Sequence, residues 1–434
     1  MNSVFQTRPG RVPRPCHHPT FPTWILFVMW LAAGVAIATP PEPNGGEIAI
    51  NTTSAGAQLF PTVAMGTDGS FVAAWTRFPP NANVFARRFA ADGTPLTGDL
   101  AVPNVTTGNQ DDASVSIFAN GDFVIVWDDD NRDGDQRGIY GRIFAADGTP
   151  MGDDFPINAT SLGDQNDAVV AVLSNDDFVV AWETPDLSGL GIVARLFDRD
   201  GMPIGDEIAV NTFLTGDQED VAVAADGSGG FVLAWESFQV DGSQDGVVAR
   251  RFDQAGGPLT GEIAVNTTTA GSQDGPTITS ATNGDFVVAW ETGGDDVEDV
   301  RARFFSADGT PTSDELNVNS TTSGSQEDAW VTLDPSGGAI VVWESSGQDG
   351  DGDGVYLRRF TPSGADGDEV QVNVTTAGNQ ETPVIGTDGS GRYVIVWEDL
   401  TPADAEVSGR LFDSWLFADG FESGDTSGWS STVP

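Results

Sequence analysis

The phrase "FVVAW", with close variants, recurs seven times, and its spacing limits the available folds more than any other feature of the chain. Its tryptophans are Trp75, Trp127, Trp182, Trp235, Trp290, Trp343 and Trp397, 52 to 55 residues apart. Self-similarity at such a period means that each copy is one supersecondary unit burying apolar surface against its neighbours. The fifth copy reads as four short runs: "EIAVN" from Glu262, "PTITS" from Pro276, "DFVVAW" from Asp285 and "VRARFF" from Val300. Clusters of Gly, Asp, Asn, Ser and Thr separate them, which is turn chemistry, and "NGD" at 283 and "ADGT" at 307 fit hairpin turns. Beyond the first 38 residues no stretch carries a helical period. Four strands in a repeat of about 50 residues predict an all-β chain, a seven-bladed β-propeller of four-stranded blades. A solenoid would use shorter repeats with terminal caps. Tandem immunoglobulin-like domains would need about 100 residues each.

The phase of the repeat adds closure. The array begins with "EIAIN" at Glu47, the equivalent of the run that follows "VRARFF", and ends with "VSGRLFD" at Asp413. The N-terminal strand is therefore expected to complete the last blade, which would leave no open sheet edge. The expected organisation is a leader over 1–38, a linker over 39–45, the propeller over 46–413 and a tail over 414–434.

Three side chains repeat with the phrase. The tryptophan sits in an unbroken apolar run, the pattern of a strand covered on both faces. Seven copies in equivalent strands point to core packing rather than a ring of sugar-stacking aromatics. An acid follows it at Asp128, Glu183, Glu236, Glu291, Glu344 and Glu398, with Thr76 as the exception. An arginine lies in the next strand at Arg87, Arg142, Arg195, Arg250, Arg303, Arg358 and Arg410. The hairpin spacing predicts cross-strand acid–arginine pairs. A glutamine recurs at Gln58, Gln110, Gln165, Gln218, Gln273, Gln326 and Gln380; a buried role bonding loop backbone is expected, in preference to a ring lining the axial opening.

Residues 1–38 differ from the rest. Arg8, Arg11 and Arg14 precede the apolar run "WILFVMWLAAGVAIA", which ends in Ala36-Ile37-Ala38. This is the layout of a secretory signal peptide with cleavage after Ala38. The apolar run is shorter than the about 20 residues of a membrane span. Cleavage would remove Cys16, His17 and His18, the chain's only cysteine and histidines, and the chain has no lysine at all. Such a product has no disulfide, no catalytic triad, no Schiff-base lysine and no His-ligated zinc. It keeps 16 arginines against 65 acids. That balance excludes nucleic acid and anionic membrane surfaces as partners and favours cations.

Two acidic loops carry candidate chemistry. "DGDGDG" sets Asp349, Asp351 and Asp353 at alternate positions, and "DDDNRDGD" sets Asp129, Asn131 and Asp133 in D-x-N-x-D-G spacing. Alternating oxygens on a glycine-bent loop suit a hard cation, so these six residues are the candidate Ca2+ ligands. Neither loop has the closing glutamate of an EF-hand; in the loop that starts at Asp129, Tyr140 stands at that place. The competing reading is a solvated acidic turn.

The unit "FVVAW…ARxFDxxGxPxGxEIAVNTTTAGxQ" resembles a repeat of large secreted bacterial proteins, found there with RTX or cadherin-like modules and similar to FG-GAP-like propeller repeats. The resemblance spans residues 46–413 and implies an extracellular or cell-surface binding role with calcium use. The nonapeptide of RTX repeats is absent from this sequence. The tail "FADGFESGDTSGWSSTVP" resembles a short C-terminal motif of secreted bacterial proteins, with a processing or sorting role as its implication. The expected function is a secreted, monomeric, non-catalytic propeller that recognises a glycan or an extracellular protein through a loop face. The alternatives are a polysaccharide hydrolase or lyase working with paired carboxylates, and a structural cell-surface component.

Overall fold

The computed structural model describes residues 41–414 apart from 80, 295, 296, 402 and 403. The leader and the tail beyond Ser414 thus lie outside the described residues. Those described are all β, in seven antiparallel sheets of at least four strands. In blade 1 the strands run Gln58–Met65, Phe71–Arg77, Asn83–Phe89 and Leu100–Ala101, from the axis outward. First strands touch first strands of neighbouring blades all the way round, blade 7 to blade 1 included. The "FVVAW" segment is the second strand, with one strand between it and the axis. It is buried along its length because a blade covers it on either side.

Closure is as the phase of the repeat requires. Blade 7 consists of Asn379–Thr387, Arg392–Thr401 and Asp404–Asp413, and the chain's first strands complete it. Ile48 and Ala49 pair with Gly409 and Ser408, and Glu42 and Pro43 pair with Asp413 and Phe412.

Seven apolar clusters fill the seven interfaces between blades. Each holds the tryptophan of one blade packed on the second and third strands of the preceding one. Trp235 lies on Val179, Ala181, Ile192 and Ala194, and Trp75 lies on Val394, Val396 and Val407 across the closure. All seven tryptophans are fully buried. A buried indole N–H needs an acceptor, and in blades 1, 5 and 6 the repeated glutamine supplies it: Trp75 Nε1 donates to Gln58 Oε1 at 2.8 Å, Trp290 to Gln273 at 3.1 Å and Trp343 to Gln326 at 3.0 Å. The glutamine amide in turn donates to loop carbonyls, as Gln58 does to Gly56 at 2.8 Å and Gln165 to Leu162 at 3.0 Å. The buried role read from the sequence is what these residues perform.

The acid–arginine pairing is not. Arg195 stands opposite Val180, while Glu183 lies three residues further along the same strand. Alternation in a strand puts positions an odd number apart on opposite faces, so the two side chains cannot meet. Each repeated arginine instead reaches the preceding blade. Arg87, Arg142, Arg195, Arg250, Arg303, Arg358 and Arg410 donate to the carbonyls of Ile50, Val102, Ile157, Val210, Val265, Val318 and Val372 at 2.7 to 3.2 Å. Their guanidinium groups also lie over phenylalanines of their own strand, as Arg303 does over Phe305.

A second set of clamps runs through the outer strands. Asp99, Asp154, Glu207, Glu262, Glu315, Glu369 and Glu47 each accept main-chain N–H groups from the turn after the preceding outer strand. Glu47 does this across the closure, taking the amide of Thr375 at 2.9 Å and its hydroxyl at 2.8 Å. The junction of the chain's two ends thus uses the same contacts as the other interfaces.

Candidate cation site at one end of the axis

Every first strand carries a β-bulge near its start. The register against the second strand slips at the same place in all seven blades. The residue that absorbs the slip is left-handed: Phe60, Asp112, Asp167, Asp220, Gly275, Asp328 and Thr382, with φ between 48° and 55°. Four of the seven are aspartate, which tolerates this conformation better than most residues, and one is glycine.

The residue just before each bulge faces the acid that follows the tryptophan. The pairs are Asp111 with Asp128, Glu219 with Glu236, Asp274 with Glu291, Glu327 with Glu344 and Glu381 with Glu398. Blades 1 and 3 have Leu59 with Thr76 and Asn166 with Glu183. Directly opposed residues share a face, so five blades set carboxylate against carboxylate, and like charges so placed are destabilising.

The second-strand acids also bind the next blade. Glu398 Oε1 accepts the amide of Phe60 at 2.6 Å, Glu183 Oε1 that of Asp220 at 2.7 Å and Glu291 Oε1 that of Asp328 at 2.7 Å. Asp128 and Glu344 take the amides of Asp167 and Thr382 at 3.2 and 3.3 Å. These bonds explain why the acid repeats, but they do not neutralise it. Burial, followed by the neighbouring carboxylates, pushes Glu236 up to about 9. Glu183 also rises to about 9, from burial and then Asp167. Burial lifts Asp112 and Glu398 to about 7 and holds Asp128, Glu291 and Glu344 well above the usual carboxylate range. A dehydrated group of this kind has two ways to lose its charge: take a proton or share a cation.

Among the described residues, two triads bring oxygens close enough to share one ion. Asp111, Asp112 and Asp128 form the first, and Glu344, Asp353 and Glu381 the second, with ligand atoms within 4.8 Å of one another in each.

The six residues singled out in the sequence disperse. Asp129 is fully buried and accepts from Arg132, Gln110 and the indole of Trp127 at 3.1, 3.2 and 3.3 Å. Asn131 is left-handed and closes a turn on Gln136. Asp133 accepts from the amide of Asp135 and from Asn158, both at 3.2 Å. Asp349 does the same in its blade, with the amide of Asp351 at 3.1 Å and Asn373 at 2.9 Å. Asp351 is exposed. Of the six, Asp353 alone joins a triad, with Glu344 and Glu381 from strands of two blades.

The first-strand acids escaped the sequence reading, although their signal was present. The repeated glutamine is followed by "DD" at 111, "ED" at 219 and 327, and "ND" at 166. Trp330 escaped too. It lies on the first strand of blade 6, two residues beyond Asp328, stands outside the tryptophan period and is 37% exposed.

No protein-family model matches the chain, and no curated protein matches it significantly. Solved structures match it in shape. An ulvan lyase, a polysaccharide lyase solved with a bound saccharide, aligns with a TM-score of 0.55 and 9% identity over 88% of this chain and 96% of its own. A protein of unknown function from Dyadobacter fermentans aligns with a TM-score of 0.52 and 11% identity over 85% of this chain and 98% of its own. At such identity the likeness establishes a common fold and nothing about chemistry.

Proposed function

We propose that this protein is a secreted, non-catalytic binding propeller that loads calcium at the acidic end of its axis and recognises an extracellular glycan there. The reading rests on the carboxylate-on-carboxylate pairs of five blades. Hard divalent cations answer that arrangement by bridging oxygens, and a bound calcium can present its remaining coordination positions to sugar hydroxyls. Trp330, the exposed tryptophan on a first strand, offers the apolar face on which a sugar ring stacks. The charge balance supports the same reading, with 65 acids against 19 arginines in the whole chain.

A second reading has one observation in its favour. Burial raises Glu183 and Glu236 to about 9, which keeps them protonated near neutrality among the other acids of the axial end. Glycoside hydrolysis uses a protonated carboxyl of this kind as its general acid. Glycan-array binding with calcium and with chelator, run beside assays for new reducing ends and for unsaturated products, separates the two. Calcium-dependent binding without product supports the binding propeller. Product formation replaces it with the enzyme, and binding indifferent to chelator removes calcium from the mechanism.

A further inference from the structure

The sevenfold repeat of the acidic end breaks at blades 1 and 2. Thr76 takes the place of the acid after the tryptophan, and its strand, Phe71–Arg77, packs against the first strand of blade 2, Gln110–Ile117. In blade 7 the equivalent side chain, Glu398, reaches the bulge amide of the next blade. Thr76 carries a hydroxyl at that position, and its Oγ1 is buried with no hydrogen-bond partner among the described residues.

Two carboxylate oxygens of blade 2 are also without a partner among the described residues. Asp128 is fully buried, and while its Oδ2 takes the amide of Asp167, its Oδ1 has no partner. Asp111 Oδ1, opposite it on the first strand, is likewise buried and without a partner. A buried carboxylate oxygen left unpaired has lost its hydration without replacement, so such atoms are places where a proton or a cation is called for. Arg137 is the local counter-charge. Its guanidinium faces Asp111, Asp112, Asp128 and Asp130 at 3.4 to 3.7 Å. One positive charge therefore serves four carboxylates, and neither orphaned oxygen is satisfied by it.

We propose that Asp111, Asp112 and Asp128 hold one calcium ion at the inner edge of blade 2. The proposal rests on the reading that the axial end takes cations, and it adds the ligand set. Three carboxylates whose oxygens lie within 4.8 Å of one another form the core of a hard-cation site. Their oxygens come from two adjacent strands and from the left-handed bulge residue, a rigid frame rather than a loop. The Thr76 hydroxyl and water can fill the remaining coordination positions.

The test uses the full chain, stripped with chelator and titrated with calcium chloride by calorimetry. Asp112→Asn and Asp111→Asn keep side-chain shape while each removes a charge. Glu381→Gln, in the other triad, is the comparison. Both blade 2 variants should lose one calcium equivalent, or weaken it by roughly tenfold or more, while Glu381→Gln retains it. Tryptophan fluorescence reports whether each variant is folded, and having two variants guards against one that is not. Unchanged affinity and stoichiometry in both blade 2 variants, with calcium still bound by the parent protein, would overturn this ligand set and leave the broader reading standing. A parent protein that binds no calcium overturns both.

Discussion

Gln326 shows how much one side chain settles in this repeat. It is fully buried, accepts the indole N–H of Trp343 at 3.0 Å and donates to the carbonyl of Gly324 at 3.4 Å. Gln326→Leu keeps the volume and strands both partners, so urea unfolding should report a loss of about 1–3 kcal/mol. The axial carboxyls contribute in a way that depends on pH, and the sign follows from their shifts. Burial raises Glu398 from an ordinary 4.5 to about 7. Folding thus favours its protonated form. The stability it lends is complete below about pH 4.5 and is lost as the pH rises through about 7. Glu183 and Glu236, raised to about 9, extend the same loss to alkaline pH. In chelator the melting temperature should fall between about pH 5 and pH 9, and calcium should restore much of it. A midpoint that climbs over this range would contradict the direction given for all three groups.

At the scale of the strand, the bulge decides where the acids go. An ordinary first strand would alternate its side chains without interruption, whereas the slip at Asp220 lets Glu219 face Glu236 and hands the following amide to Glu183. The left-handed backbone is the condition for this. Asp220→Gly should therefore be tolerated, while Asp220→Val should cost about 1–2 kcal/mol in chemical unfolding. Equal stability of the two variants would mean that the strand can abandon its bulge without loss. The same scale explains the failed pairing of acid with arginine. The spacing of 12 to 15 residues between tryptophan and arginine permits a hairpin, but the face each residue occupies depends on register, and the arginines find their partners in another blade.

At the scale of the ring, closure should be indistinguishable from any other interface. Glu47 and Glu315 make matching contacts, with Thr375 and Thr268 respectively. Glu47→Ala and Glu315→Ala should therefore lower stability by similar amounts, about 1.5–3 kcal/mol each. Removing the chain through Asn51 is a larger change, because it strips the outer strand from blade 7 and exposes an unpaired edge. That truncation should associate in sedimentation experiments where the parent protein does not. A monodisperse, fully stable truncation would show that the ring holds without its closing strand.

Periodicity alone determined the number of blades, the strands within each, the burial of the tryptophans and the phase that closes the ring. These follow from patterns internal to one repeat, or from counting repeats, and a linear sequence carries both. The destinations of Arg195 and Glu183, the crowding of acids at one end of the axis and the orphaned oxygens of Asp111 and Asp128 were decided by tertiary structure alone. Each depends on which side chains of neighbouring blades meet at the interface, and on a bulge that turns one residue of the first strand. Burial then converts that proximity into shifted proton affinities, an effect of desolvation that no spacing along the chain encodes.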